Sequence, residues 1–462
     1  MTNFSSQFSR RKFLLTAGAS AASSILLKGC LGNPPEPSNT TTQASAAQQN
    51  RGLALPAEQM PETKTANIGF IGQTDAAPLI IAKELGFFAK YNVPDVKLQK
   101  QPSWAVIRDK MELDSSGGGL DGSMVLTPIP YLMALGTVTK GNRKIPMTLV
   151  MRLNIDGQGI TVANSLKDAG AKLDSSPLKA KVEEAKAAGK PLKFAHTFTG
   201  GNSDLMLRYW LAAGGIDPDN DVLIQIVPGA QLVPSMKTGD IQGFCVGEPW
   251  HLRAINQGVG YTAMITGEFW KDHPEKALTF RKDWVDKHPK TARAIIKAVI
   301  EAQQWCDKME NRQQMAEILS REEYAKVPVE DIIDRLMGKI DYGDGRPVVE
   351  NSPYIMRYWD KGIASYPYKS HDLWFLVENQ RWGILPLDLD LNKIINEVNG
   401  EALWREAAEE LNQLKQAGLI NIDTIDIPKS PSKGPETFFD GVTFNPDEPM
   451  AYLKGLKISK QA

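Results

Sequence analysis

The chain has 462 residues, 53 Lys+Arg against 54 Asp+Glu for a formal net charge of -1, and 42% hydrophobic and 23% charged residues. This balance excludes a nucleic-acid partner that needs a broad basic face, and it suits an ordinary globular body. Any anion site must therefore be local.

The N-terminal stretch Ser9 to Cys30, SRRKFLLTAGASAASSILLKGC, joins a positive segment (Arg10, Arg11, Lys12) to an apolar run from Phe13 to Leu27. That run is too short for a stable membrane anchor, so residues 1–30 are expected to be a cleaved export leader. Its Arg-Arg pair resembles the twin-arginine signal, and Leu27-Lys28-Gly29-Cys30 resembles a lipobox, with Lys28 as its one departure. Cys30 is the expected lipidation site, anchoring the protein to a membrane; the alternative is a plain signal peptide in which Cys30 is incidental. From Leu31 to about Thr65 the chain is mostly Pro, Ser, Thr, Gln and Ala. Such a segment buries too little to offset its ordering entropy, so 31–65 is expected to be a tether.

The remaining residues, about 395, exceed one comfortable core and imply two domains. They alternate short apolar strands with amphipathic helices, the pattern of an α/β fold. Ala66–Ile71 reads as a strand, after which Asp75 is expected to cap a helix from Ala77 to Tyr91. Val96–Gln99 is the next strand, Ser103 the next cap, and Pro146–Leu153 a further buried strand. A second set follows: the strand Leu192–His196, the helix Ser203–Ala213, and strands at Leu223–Val227 and Ile241–Cys245. From Pro289 to Leu319 the apolar period is helical. Four segments share the order strand, short polar or Gly loop, helix start: IGQTDAAP, KQPSWAV, HTFTGGNSDLM and CVGEPWHL. In open α/β sheets ligands bind beyond such strand ends, where unpaired helix N–H groups favour a small anion.

Enzyme chemistry is not visible locally. There is no G-x-S-x-G elbow or phosphate loop, and Ser115-Ser116-Gly117-Gly118-Gly119 lacks the Lys-Ser/Thr that would follow it. The five histidines never fall at helical metal spacing, so no catalytic residue, metal or cofactor is expected. Cys245 and Cys306 lie in no metal or redox motif; spacing leaves open whether they pair. His196, after a strand and before Gly200-Gly201, reads either as a structural loop histidine or as a donor to an anion. Glu248 would repel an anion directly. It is expected to offer its backbone N–H, to orient His196 or Lys276, or to serve as a helix-start acid beside Gly247. Lys276 is the candidate cation, while Trp104 and Gln158 are read as core or turn residues or as walls and donors of a cleft.

The segments DAAPLIIAKELGFFAKY, GGGLDG, NIDGQGI, LRYWLAAGGIDP, FCVGEPW, DWVDKHPK, EAQQWCD, ASYPYKSHDLWFL and ETFFDGVTF together resemble the nitrate-binding lipoproteins of cyanobacterial nitrate/nitrite ABC transporters, a family with bicarbonate-binding siblings. The resemblance runs from about Ala66 to Ile458. It implies a two-lobed, clamp-like (type II) periplasmic solute-binding protein with its ligand between the lobes: lobe I from 66–160 and 268–462, lobe II from 161–267. It implies that Trp104, Gln158, His196, Gly247, Glu248 and Lys276 bind nitrate or nitrite. The partners implied are the transporter's permease and ATPase subunits, at the periplasmic side of the inner membrane. In the bicarbonate branch an acidic residue at the Lys276 position accompanies a calcium ion, so Lys276 points to the nitrate branch. Thr199, Met206 and Ser123-Met124 depart from the family pattern. The alternatives are a calcium-dependent bicarbonate receptor, a receptor for sulfonates or pyrimidine precursors with a larger and more aromatic cleft, and an enzyme.

Overall fold

The computed structural model describes residues 52–460. The expected leader, Cys30 and the first part of the expected tether lie outside the described residues. The tether's expected end at Thr65 is corrected. The Leu53 N–H donates to the Lys90 carbonyl at 2.9 Å, and the Glu62 carboxylate accepts from the backbone N–H groups of Lys290 and Thr291 at 3.0 and 2.8 Å. Those two amides are unpaired donors in the first turn of the helix Pro289–Asp307, so a carboxylate there satisfies them and meets the positive helix end. Composition could not reveal this, because the partner lies 229 positions away.

Two five-stranded sheets organise the body. The chain builds β1 (Thr65–Ile71), β2 (Asp95–Gln101), β3 (Gly122–Leu126) and β4 (Met147–Arg152), then β5 (Gln158–Ala163), β6 (Lys193–His196), β7 (Leu223–Ile226), β8 (Gly243–Gly247) and β9 (Gly260–Ile265), and finally β10 (Lys276–Arg281). The first sheet has the order β2-β1-β3-β10-β4 and the second β7-β6-β8-β5-β9. In each, three parallel strands are followed by an antiparallel one: β10 against β3 and β4, β5 against β8 and β9. The chain thus crosses between sheets twice, after β4 and after β9. β3, β5, β8 and β9 are buried at every position, as expected of strands covered on both faces.

The two crossings run side by side. The Leu153 N–H donates to the Lys276 carbonyl at 2.8 Å, the Asp156 N–H to the His273 carbonyl at 2.8 Å, and the Glu275 N–H to the Asn154 carbonyl at 3.1 Å. An antiparallel bridge joins Ile155 to Pro274. The polar residues of both crossings are therefore brought to one place, beyond the ends of β1, β2 and β8.

Local expectations fare unevenly. Ser103 does cap the helix Trp104–Met111, its hydroxyl accepting from the Val106 N–H at 3.3 Å. Asp75 caps nothing with its side chain: a short 3-10 turn, Thr74–Ala76, precedes the helix Ala77–Glu84, which stops at Gly86 in the left-handed region (φ 74°). The helical stretch from Pro289 breaks at Lys308 and resumes as Arg312–Ser320. There the Asp307 carboxylate accepts from the N–H groups of Tyr358 and Asp360 at 2.6 and 2.7 Å, fixing the end of the first helix. Cys245 and Cys306 are free and buried. Near the C-terminus Phe438 and Phe439 pack on Phe269, and the Tyr209 hydroxyl donates to Asp440 at 3.0 Å. None of the described helices is long and apolar enough to cross a membrane.

Candidate functional site

Lys276 opens β10 and is only 1% exposed. A lysine so buried needs partners, and it has two: Asp75, from the turn after β1, at 3.4 Å, and its neighbour Glu275 in close contact. Both acids are fully buried. The candidate cation of the sequence is thus a paired one. Glu275 escapes strand alternation because it precedes the first β10 residue, so consecutive side chains meet. Its Oε2 also accepts from the Gln158 amide at 3.1 Å and from the Asn202 amide in close contact. Asp75 Oδ1 accepts from the Asn154 amide at 3.0 Å, while its Oδ2 has no hydrogen-bond partner among the described residues.

Two expected residues complete this centre. The Lys276 ammonium lies 5.9 Å from the centroid of the Trp104 ring, within cation–π range. Gly247 ends β8, and a Cβ added there would sit 2.7 Å from Asp75 Oδ2 and 3.4 Å from Lys276 Nζ. Glycine is needed at that point because the backbone passes directly beside the charges.

The structure thus brings Trp104, Gln158, Gly247 and Lys276 together and directs the side chains of His196 and Glu248 elsewhere. His196, at the end of β6, lies 3.4 Å from Asp204 through Nε2, and its Nδ1 accepts from the Phe198 N–H at 3.1 Å. Burial pushes its pKa down, with Asp204 opposing, so the ring is neutral near pH 7. The Gly200 N–H donates to Asp204 at 2.8 Å. The Glu248 N–H donates to the Gly157 carbonyl at 2.9 Å. Its carbonyl accepts from the Thr74 N–H and hydroxyl at 3.2 and 3.1 Å, tying the loop after β8 to the loop after β1. The Glu248 carboxylate lies 3.4 Å from Arg335 and so orients neither His196 nor Lys276. Among its expected roles, that of helix-start acid fits its place just before the helix Trp250–Asn256. A cavity of about 20 Å³, room for one water, lies against Thr74, Gln158, Glu248 and Arg335.

The charge balance is the unusual feature: one ammonium against two dry carboxylates. Burial raises the pKa of Asp75, with Lys276 opposing, and burial together with Asp75 and Asp156 carries Glu275 up to about 8. Burial also penalises the Lys276 ammonium, but Asp75 and Glu275 outweigh it and hold its pKa above the usual lysine value. Lys276 therefore stays charged, while burial pushes both carboxylates toward their protonated forms. Asp75, Asn154, Asn202 and Glu275 were not among the expected site residues, although Asp75 and Asn202 lie in two of the four strand–loop–helix segments. The adjacency of Glu275 to Lys276 could have hinted at a partner. Among the described residues, no group of three or more His, Cys, Asp or Glu side chains is placed to hold a metal ion. The Lys276 ammonium stands between the two acids where a cation would have to sit.

Two sheets that exchange a strand, with buried donors gathered where the chain crosses between them, define a periplasmic solute-binding protein of the two-lobed, clamp-like class. A crystal structure of the periplasmic nitrate-binding protein NrtA from Synechocystis PCC 6803 superposes with a TM-score of 0.81 at 52% identity, covering 86% of this chain and 100% of that one. The nitrate/nitrite binding protein NrtA of Nostoc sp. is 50% identical over 452 residues, 98% of this chain and 99% of the relative. The bicarbonate-binding protein CmpA of Synechococcus elongatus is 43% identical over 458 residues, 98% of each. Residues 59–320 match the NMT1-like family. The chain belongs to the NMT1-like family and, within it, to the family of the nitrate/nitrite binding proteins.

Proposed function

We propose that this protein is the extracytoplasmic substrate-binding component of an ABC transporter, which captures nitrate, and also nitrite, and delivers it to the permease and ATPase subunits in the membrane. The observation that carries this reading is Lys276: a fully buried ammonium at the crossing of the two sheets, with the Trp104 face, the Gln158 amide and the Gly247 backbone around it. The lobes are assigned as 66–160 with 268–462 and 161–267, the ligand lying between them. His196 and Glu248 act at the margins of the site, through Asp204 and through the Thr74 contact. The protein works on the periplasmic side of the inner membrane, held there by a lipid on Cys30, and it binds its ligand without chemical change.

The bicarbonate reading would place calcium beside the anion. Lys276 argues against it, since its ammonium already occupies the place between Asp75 and Glu275 where such an ion would bind. Nitrate itself limits affinity: at a ceiling of about 1.5 kcal/mol per heavy atom it gains roughly 6 kcal/mol, a dissociation constant of tens of micromolar. Tighter capture needs charge-assisted hydrogen bonds of about 1.5–3 kcal/mol each in a site that excludes water. Lys276 supplies the charge for such bonds.

Calorimetric titration of the purified protein with nitrate, and with bicarbonate with and without calcium, tests the reading. Nitrate binding that needs no metal is expected. Bicarbonate binding that depends on calcium, with none for nitrate, would overturn it.

A further inference from the structure

The donors that suit an oxyanion are already in use. The Lys276 ammonium contacts Glu275 Oε1, and the Gln158 and Asn202 amides both donate to Glu275 Oε2. A carboxylate and a nitrate are both planar, delocalised oxyanions, and they ask for the same donors. The Glu275 backbone is pinned: its N–H donates to the Asn154 carbonyl at 3.1 Å, and its carbonyl accepts from the Thr127 hydroxyl at 2.6 Å. Any displacement of Glu275 therefore falls to its side chain.

We infer that Glu275, when ionised, is an internal competitor for the transported oxyanion, its carboxylate holding the Lys276, Gln158 and Asn202 donors in the empty protein and, in alkaline solution, releasing them with uptake of one proton when the oxyanion binds. This rests on the receptor reading above. The balance is simple: anion plus one proton from the buffer enter, the Glu275 carboxylate becomes a carboxylic acid, and the net charge of the centre does not change. Without that proton, three negative groups would share one ammonium in a dry site. The groups facing Glu275 are Lys276 on its own strand, Asp75 from the turn after β1, Asp156 from the other crossing and Cys245 from β8. Asp75 and Asp156 add to burial in favouring the protonated acid, Lys276 opposes, and the Cys245 thiol, itself pushed up by burial, stays neutral.

Nitrate titrations of the purified wild-type protein and of Glu275→Gln, from about pH 6 to about pH 9.5 and in buffers of different ionisation enthalpy, decide the matter. Wild-type affinity should hold steady up to the Glu275 pKa, about 8, and then fall with rising pH, approaching tenfold per unit, as proton uptake nears one per nitrate. Glu275→Gln should bind at least as tightly near pH 7, several-fold more tightly than wild type near pH 9, and without proton uptake. If that variant does not fold, the wild-type uptake alone is decisive. Nitrate binding with no proton exchange even at the alkaline end, or a variant that binds more weakly and keeps the wild-type pH profile, would overturn this inference alone. No nitrate binding at any pH would overturn the receptor reading and this inference together.

Discussion

Two buried clusters on the same sheet differ in a way that separates scaffold from site. At the end of β4, Arg152 pairs with Asp372, one base to one acid; Arg152 also donates to the Thr127 hydroxyl at 3.0 Å, and Asp372 accepts from the Asn399 amide at 2.7 Å. At the neighbouring start of β10, Lys276 faces two acids, and Asp75 keeps an oxygen with no partner among the described residues. The first cluster is neutral and its acid is held by three donors, Arg152, Asn399 and the Tyr131 hydroxyl at 2.5 Å, which makes it a fixed brace between β4 and the helix Lys369–Arg381. The second carries an excess acid, so its protons and partners are open to exchange. A dry cluster with unbalanced charge costs stability that only a function would retain.

Substitutions should divide along that line. The largest effect on binding is expected from Lys276→Gln, which removes the cation that pairs with Asp75 and Glu275. Nitrate affinity should fall by 100-fold or more, as the loss of roughly 3 kcal/mol of charge-assisted contact implies, and calorimetry would show it. Asp372→Asn is the counterpart. It leaves Arg152 without its acid and should cost about 3–5 kcal/mol of stability in denaturant titration, while nitrate affinity stays within about twofold. A loss of binding as large as that of Lys276→Gln would erase the distinction. Gly247→Ala inserts a methyl 2.7 Å from Asp75 Oδ2 and should weaken nitrate binding about tenfold, at a stability cost of about 1–3 kcal/mol.

The smallest effect concerns pH and the histidines. Burial lowers the pKa of His196, His251, His273 and His371 from 6.5, with His251 brought to about 3. An unfolded chain protonates these rings near pH 6.5 and the folded one does so only at lower pH. Stability should therefore fall as pH drops below about 6.5, by up to about 1.4 kcal/mol per unit for each histidine still neutral in the fold. Denaturant midpoints between pH 7 and pH 5 would show this. Replacing His371, whose ion-pair partner is Glu436 rather than a residue of the Lys276 centre, should flatten the slope without changing nitrate affinity.

Much of the fold was legible in the residues. Strand cores such as Ile68–Ile71 and Leu149–Val150 announce themselves through apolar runs, and Ser103 through its place before a helical period. What was hidden is long-range. Asp75 looks like a cap because it stands between a strand and a helix; its true partner is 201 positions away. The docking of Glu62 on the helix Pro289–Asp307 and the pairing of Asn202 with Glu275 are equally invisible to local patterns. Trp104, Gln158, Gly247 and Lys276 were within reach through the family resemblance; read alone, Trp104 and Gln158 could equally be core or turn residues. His196 and Glu248 share that resemblance, but it does not fix which way a side chain turns. That choice was made by Asp204 and Arg335.

The most direct measurement is a crystal structure of the protein with nitrate. The account predicts a planar anion against Trp104, within hydrogen-bond reach of Lys276 Nζ and the Gln158 amide, with the Glu275 side chain withdrawn from both. Nitrate bound elsewhere, for instance against Arg335, with the Lys276–Glu275 contact intact, would contradict it.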